Sequence, residues 1–490
     1  MESSPSAILK LLVPKAPFIL KTALWSMFSL SDTSSKWDLR TELTVKILRD
    51  MLSPTSPTHS ISATQKLTTR DPGVKGKVWV SRVKLAAAED DARQLVFAAI
   101  EEMGTGEEQW TKPATAPLEG EWNGYRASAR DDAGEPEGMS EQTKYDHMVQ
   151  ETSSKVTVLY FHGGAMYLLD PATYRTGCAR LAKETGGRVF STRYRLSPQN
   201  PFPAALLDCF TAYLSLLHPP PDAPHAPIPA AEIVFAGDSA GGMCCTALLQ
   251  LLLHLHRRSP AGEIPTVTFH NRTVPIPLPA GLALASPWLD VTRSLPSIEN
   301  LTQYDYLPPP SRAQHTVYPP CDAWPAVPER ADLYCEGSAL CHPLVSPLAA
   351  LDWTGAPPVF FSVGEEMLRD EGAVLAQRMA RQGVRVVWRE FEAMPHVFAM
   401  MLEHLAGSAV HHEETGRFCR DVVAGGKGVQ SSGEVIAAKT LERRSVDVGT
   451  GLTRIGDEEA AAFMQKGRER IEARMRRGEG SASAEGRPLI

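Results

Sequence analysis

The sequence predicts an α/β fold, a mostly parallel central sheet with helices on both faces. Three observations carry that prediction. From Lys77 onward, segments of strand character alternate with segments of helical periodicity. The strand segments Val156 to Phe161 and Ile233 to Ala236 are continuously apolar, the pattern of strands buried on both faces. The 490 residues are 43% hydrophobic and 22% charged, a globular composition that excludes a disordered or fibrous chain.

The elements follow in order. The first seventy residues read as helices. Ala23 to Leu30 and Leu39 to Leu52 carry apolar residues at helical spacing, with Asp32 and Ser34-Ser35 as caps between them. Their apolar faces suit covering another part of the molecule, and Trp25, Met27 and Phe28 read as core of that cover. Val78 to Val83 and Glu121 to Ala127 are early strands, followed by a polar, acidic loop from Arg130 to Lys155. The strand Val156 to Phe161 ends in His162-Gly163-Gly164. A helix from Thr173 to Glu184 leads to the strand Arg188 to Arg193, and another helix begins near Pro203. After the proline-rich insertion Pro219 to Pro229, the strand Ile233 to Ala236 runs straight into Gly237-Asp238-Ser239-Ala240-Gly241-Gly242 and an apolar helix, Met243 to His256. Later strands are Gly281 to Ala285, Pro358 to Val363 and Val384 to Glu390, with a helix from Arg369 to Arg381 between the last two. The stretch Val291 to Ala350 interrupts the alternation, and an insertion of that length usually serves function. Past His404 the signals weaken. Gly425 to Gly433 reads as a linker, Asp457 to Arg477 as a charged helix without an assigned role, and Gly478 to Gly486 as a disordered tail. The expected division is an N-terminal helical segment (1–75), a catalytic α/β domain (76–405, with the insertion at about 291–350) and a C-terminal extension (406–490).

Charge and targeting narrow the function. Lys+Arg 50 against Asp+Glu 57 gives a net charge of -7, which argues against nucleic-acid or anionic-lipid binding by bulk charge. No run of about 18 uncharged apolar residues reads as a membrane span. The apolar stretch Ile8 to Leu20 is broken by Lys10, Pro14, Lys15 and Pro17, unlike a secretory signal. The eight cysteines contain no C-x-x-C pair and read as small buried side chains and free thiols; Cys321, Cys335 and Cys341 could form one bridge only in an oxidising compartment. The expected location is cytoplasmic, at most peripheral to the endoplasmic reticulum membrane through weak surface contact of the N-terminal helices.

The chemistry starts at Ser239. Gly237-x-Ser239-x-Gly241 between a strand and a helix is the setting in which a sharp turn lifts a serine above the sheet edge. The glycines let neighbouring backbone approach without a Cβ clash. Attack on an ester puts negative charge on the former carbonyl oxygen, so backbone donors are needed there. Ala240 supplies one N–H, and Gly163, Gly164 and Ala165 on the turn after an earlier strand supply the others. A serine hydroxyl needs a base. His396, in a loop after the last clear strand, satisfies the chain order serine, acid, histidine. The acid belongs just after Pro358 to Val363, where Glu365, Glu366 and Asp370 are the candidates. The other histidines carry less. His254 and His256 face different ways on one helix, and His411, His412, Glu413 and Glu414 read as a solvated polar patch.

These blocks together resemble the hormone-sensitive-lipase-like branch of the α/β-hydrolases, in its fungal esterase form. The resemblance covers about residues 156–404. It includes His162-Gly163-Gly164, Gly237 to Gly242, Tyr194-Arg195-Leu196-Ser197-Pro198 with Phe202-Pro203-Ala204-Ala205, Ser286-Pro287-Trp288-Leu289-Asp290, and His342-Pro343-Leu344-Val345-Ser346-Pro347-Leu348. It implies the α/β-hydrolase fold with a helical cap, Ser239 as nucleophile and His396 as base. The family acid opens an Asp-Pro-Leu-x-Asp-Glu-Gly block, here Glu366-Met367-Leu368-Arg369-Asp370-Glu371-Gly372, so Glu366 replaces the usual aspartate and Asp370 is the alternative. Ala165 stands where the family has glycine, which keeps a backbone donor and narrows the acyl side. The expected function is cofactor-independent hydrolysis of small to medium acyl esters, such as acetylated metabolites or sterols, with a small-molecule ester as partner. A non-catalytic receptor on the same fold usually lacks the nucleophile or the base, whereas an acyltransferase would share both.

Overall fold

The structure is a computed structural model describing residues 31, 33–52, 59–313 and 318–476. The predicted helix at 23–30 and the tail at 478–486 lie outside these residues. Twelve strands are present among the described residues: β1 (Val78–Leu85), β2 (Leu118–Tyr125), β3 (Thr157–Phe161), β4 (Arg188–Thr192), β5 (Ile233–Asp238), β6 (Thr266–Phe269), β7 (Arg272–Pro275), β8 (Gly281–Ala285), β9 (Val359–Gly364), β10 (Val386–Phe391), β11 (Ser432–Ile436) and β12 (Arg443–Val446). Ten form one sheet in the order β1-β2-β4-β3-β5-β8-β9-β10-β11-β12, and β6 and β7 make a separate hairpin. From β4 to β11 every pairing is parallel; β1 with β2, β2 with β4 and β11 with β12 are antiparallel. The chain passes from β3 out to β4 and then back across to β5. That reversal opens a crevice at the carboxyl ends of β3 and β5, where open α/β sheets bind ligands.

The main helices are α1 (Leu39–Leu52), α2 (Ile61–Thr68), α3 (Asp90–Met103), α4 (Glu141–Gln150), α5 (Pro171–Thr185), α6 (Ala204–Leu217), α7 (Ala240–Arg258), α8 (Arg369–Arg381), α9 (Ala406–Val423) and α10 (Asp457–Arg476). Buried residues of α3, α6, α7 and α8 pack against one face of the sheet. Cys178, Leu181 and Ala182 of α5 join Phe418, Cys419 and Val422 of α9 on the other, over Val158, Ala283 and Phe360. The continuous apolar runs of β3, β5, β8 and β9 follow from this cover on both sides.

Several expectations change. The sheet does not end at residue 405. Phe418, Cys419 and Val422 of α9 pack on one sheet face, and β11 pairs in parallel with β10 through Val387↔Ser432 to Phe391↔Ile436. The segment read as a linker therefore runs into a strand. His411, His412 and Glu414 are buried rather than solvated, because α9 turns them toward the sheet and helix contacts; His411 Nδ1 meets Ser362 Oγ at 2.7 Å. The polar loop 130–155 contains α4, capped by Ser140 accepting from the Thr143 N–H, with Tyr145 and Met148 as a narrow buried stripe. Helix α10 acquires a structural place. Its Ala460 and Met464 are buried, Asp457 pairs with Arg378 at 2.8 Å, and Arg470 donates to the Thr292 carbonyl at 2.9 Å. Among the described residues no helix is long and apolar enough to cross a membrane.

The N-terminal segment meets the loops after β10 and β4 at two places. Trp37, just before α1, donates its indole N–H to the Ala393 carbonyl at 2.6 Å and packs with Phe391, Met394 and Phe398. Gln65 of α2 donates to the Ser197 carbonyl at 2.7 Å, on the loop after β4.

Candidate active site

Ser239 sits between β5 and α7 at φ 51° and ψ −120°. A non-glycine residue in that region is strained and persists only when its surroundings fix it. The neighbours do so: the Ser239 N–H donates to the Ala285 carbonyl at 3.0 Å, and its own carbonyl accepts from the Trp288 N–H at 2.9 Å. Two positions along, a Cβ on Gly241 would lie 1.9 Å from the Phe161 carbonyl oxygen, so only glycine lets the elbow close onto β3.

Glu366 and His396 arise from neighbouring strands, β9 and β10. Gly364, where β9 ends, lies so near the base loop that a Cβ would sit 2.1 Å from the Met394 carbonyl oxygen. His396 Nδ1 and Glu366 Oε2 are 2.5 Å apart, and Glu366 Oε1 accepts the Gly364 N–H at 3.0 Å. Both residues are buried, at 0% and 3% exposed. An imidazole held at Nδ1 by a carboxylate carries its proton there and offers Nε2 as base. Burial alone would lower its basicity; the Glu366 charge and hydrogen bond, backed by Asp305 and Asp238, outweigh burial and raise it above the ordinary 6.5. Asp370 is engaged elsewhere, accepting the Ser297 N–H at 2.9 Å and facing Arg369 at 3.3 Å. Glu365 accepts the Ala393 N–H. Of the three candidate acids, Glu366 is the one bonded to His396.

The base loop is tied to the elbow through Ser286. Its hydroxyl accepts the Val397 N–H at 3.0 Å and its N–H donates to the Ser362 carbonyl at 2.8 Å. The block Ser286 to Asp290 thus joins β5, β9 and the histidine loop, while Glu371 accepts the Leu289 and Asp290 N–H groups from below.

The loop after β3 turns through positive φ at Gly164, Ala165 and Met166. One expectation needs correction here. The Gly163 N–H is already committed, at 3.1 Å from both the Tyr174 hydroxyl and Asp238 Oδ1. That leaves Gly164, Ala165 and Ala240 as the candidate oxyanion donors. Ala240 opens α7, where first-turn N–H groups have no intrahelical acceptor. Sequence reasoning passed over Asp238. Its buried carboxylate also accepts from the Tyr160 and Tyr174 hydroxyls at 2.8 and 3.0 Å, and so ties the elbow to the glycine loop. Its position inside the serine motif was the available signal. His162 stacks on Tyr194, whose hydroxyl donates to the His162 carbonyl at 2.6 Å, and burial lowers its basicity to about 4. It is a neutral brace for the loop. Arg195 grips Asp208 of α6 through contacts of 2.8–3.0 Å, which anchors the Tyr194 to Pro198 block on that helix.

The chain is similar to known proteins. A family model for the alpha/beta hydrolase fold matches residues 158–400. The chain is 30% identical to the acetyl-hydrolase of Streptomyces hygroscopicus over 275 residues, 56% of this chain and 78% of that protein. It is 28% identical to lipase 2 of Moraxella sp. over 284 residues, 56% of this chain and 61% of that protein. The solved structure of an esterase from the bacterial hormone-sensitive lipase family superposes with a TM-score of 0.52 at 21% identity, covering 79% of this chain and 99% of that one, a likeness of fold. The chain belongs to the α/β-hydrolases, in the hormone-sensitive-lipase-like branch, and is a carboxylic ester hydrolase.

Proposed function

We propose that Ser239, His396 and Glu366 form the catalytic triad and that hydrolysis passes through an acyl-enzyme on Ser239. His396 Nε2 takes the hydroxyl proton as the oxygen attacks the ester carbonyl. The imidazolium that forms is stabilised by Glu366. The N–H groups of Gly164, Ala165 and Ala240 hold the oxyanion. His396 then returns the proton to the leaving alcohol and next activates water to release the acid. The observation that carries this reading is the buried 2.5 Å bond between His396 Nδ1 and Glu366, with the histidine loop tied through Ser286 to the strand end that holds Ser239 at φ 51°. Small to medium acyl groups, acetyl among them, are the proposed substrates; the acetyl-hydrolase relative supports this, as does Ala165 where the resembled family has glycine.

Ser239→Ala tests the mechanism. It should abolish hydrolysis of p-nitrophenyl acetate and labelling by a fluorophosphonate probe while leaving the melting temperature unchanged. Retained turnover in a folded variant would remove the serine mechanism. A chain-length series of p-nitrophenyl esters tests the acyl preference, with efficiency falling from short to long chains.

A further inference from the structure

Asp305 lies in the insertion after β8, far in sequence from the proposed triad. It is 0% exposed. Its Oδ2 accepts the Met367 N–H at 2.9 Å, on the residue next to Glu366. Its Oδ1 accepts the Tyr306 and Leu307 N–H groups at 2.7 and 3.3 Å and the His396 N–H itself at 3.4 Å. All four partners are backbone donors, so each contact needs an acceptor oxygen. One side chain therefore holds the acid loop with one oxygen and the base loop with the other. The Tyr306 ring stands edge-on to the His396 imidazole at 6.1 Å. The back of the same segment is gripped from the N-terminal helix: Arg49 of α1 donates to the Asp305 carbonyl at 2.5 and 2.8 Å and to the Thr302 and Gln303 carbonyls at 2.9 and 3.0 Å.

We propose that Asp305 is a positioning residue that sets the spacing of Glu366 and His396, and that α1 holds it in place through Arg49. This rests on the triad reading above. The acid and base stand on adjacent strands, and Glu365, which accepts the Ala393 N–H, joins their loops three residues before His396. A carboxylate shared between the Met367 and His396 N–H groups fixes one loop against the other. A misplacement of about 1 Å can cost about a hundredfold in rate, so a fixed spacing matters to turnover more than to substrate binding. The groups facing His396 are Glu366 from the β9 loop, Asp305 and Tyr306 from the insertion and Asp238 from the elbow. Asp305 adds negative charge on that side, so it also favours the protonated imidazole.

The test is Asp305→Asn, which keeps shape and one acceptor but turns an N–H₂ toward one of the two loops. The expected result is a fall in kcat of about ten- to a hundredfold with KM nearly unchanged. The acid limb of the kcat/KM profile should move to lower pH. Wild-type kcat and an unmoved limb in a folded variant would overturn the proposal, as would a loss confined to KM. If Asp305→Asn fails to fold, Arg49→Ala decides: a lower kcat at constant KM supports the coupling, and wild-type kinetics overturn it. Ser239→Ala is measured alongside. Activity in that variant removes the triad reading, whereas an inactive Ser239→Ala beside a wild-type Asp305→Asn removes this inference alone.

Discussion

Replacing Glu366 by glutamine is the sharpest chemical perturbation of the proposed triad. The wild-type carboxylate serves two donors at once, His396 Nδ1 at 2.5 Å and the Gly364 N–H at 3.0 Å. Glutamine has one acceptor oxygen for these two donors. With its oxygen toward His396, the N–H₂ faces the Gly364 N–H. With the amide reversed, the N–H₂ faces Nδ1, and the ring must carry its proton on Nε2, where it can no longer accept one from Ser239. The charge is lost as well. For an imidazolium and a carboxylate about 4 Å apart at an effective dielectric constant of about 20, the attraction is about 4 kcal/mol. Appearing only when the imidazolium forms, that energy corresponds to roughly a thousandfold in kcat. The assay is steady-state hydrolysis of p-nitrophenyl acetate by Glu366→Gln and Asp370→Asn, each checked for an unchanged melting temperature. Glu366→Gln should fall by about that factor while Asp370→Asn stays near wild type. A larger loss in Asp370→Asn would refute the assignment.

The remaining predictions use the same structure. A serine esterase needs its histidine neutral, and His396 is more basic than an ordinary imidazole, so activity should be full above its raised pKa and vanish as pH falls through it. The acid limb of kcat/KM should accordingly lie above 6.5 in the wild type and move down in Glu366→Gln, where burial is left with less opposition; a limb below that value in the wild type would count against the pair. Gly241→Ala places a Cβ 1.9 Å from the Phe161 carbonyl oxygen, and soluble yield and thermal melting should both drop; a wild-type melting curve would contradict the packing of elbow on β3. Phe418→Ala removes a 4% exposed ring packed on Phe360 at 5.6 Å, and should cost about 3–5 kcal/mol in chemical denaturation. A negligible change there would mean that α9 is the detachable extension its sequence suggests.

The site was more legible than its surroundings. Ser239, the glycine loop and His396 announce themselves because the chemistry demands fixed residue types at strand ends, and strands β5, β8 and β9 are apolar enough to be read directly. Glu366 could be narrowed to three candidates by position and singled out by resemblance; geometry then bonded it to His396 and occupied Asp370 with Ser297. Helix α3 carries Ala92, Val96, Ala99 and Ile100 at helical spacing and was readable in principle. Helix α9 was harder, because His411, His412 and Glu414 look solvated until Ser362 and Arg389 are seen beside two of them. The final strands β11 and β12 are short, and polar residues such as Glu434 and Arg443 interrupt them, so they lack the alternation that marks a strand.

By itself, then, the sequence determined the fold class and pointed to Ser239 and His396 as the proposed nucleophile and base, since local periodicity and short-range turn chemistry act within a few residues of each other. Only the tertiary structure decided how far the sheet continues, which N–H of the glycine loop is already taken and that Asp305 spans the loops of Glu366 and His396. Each of those depends on partners brought together across the fold, Asp238 to Gly163 and Asp305 to His396. A hydrogen bond between distant residues leaves no spacing in the chain by which it could be read.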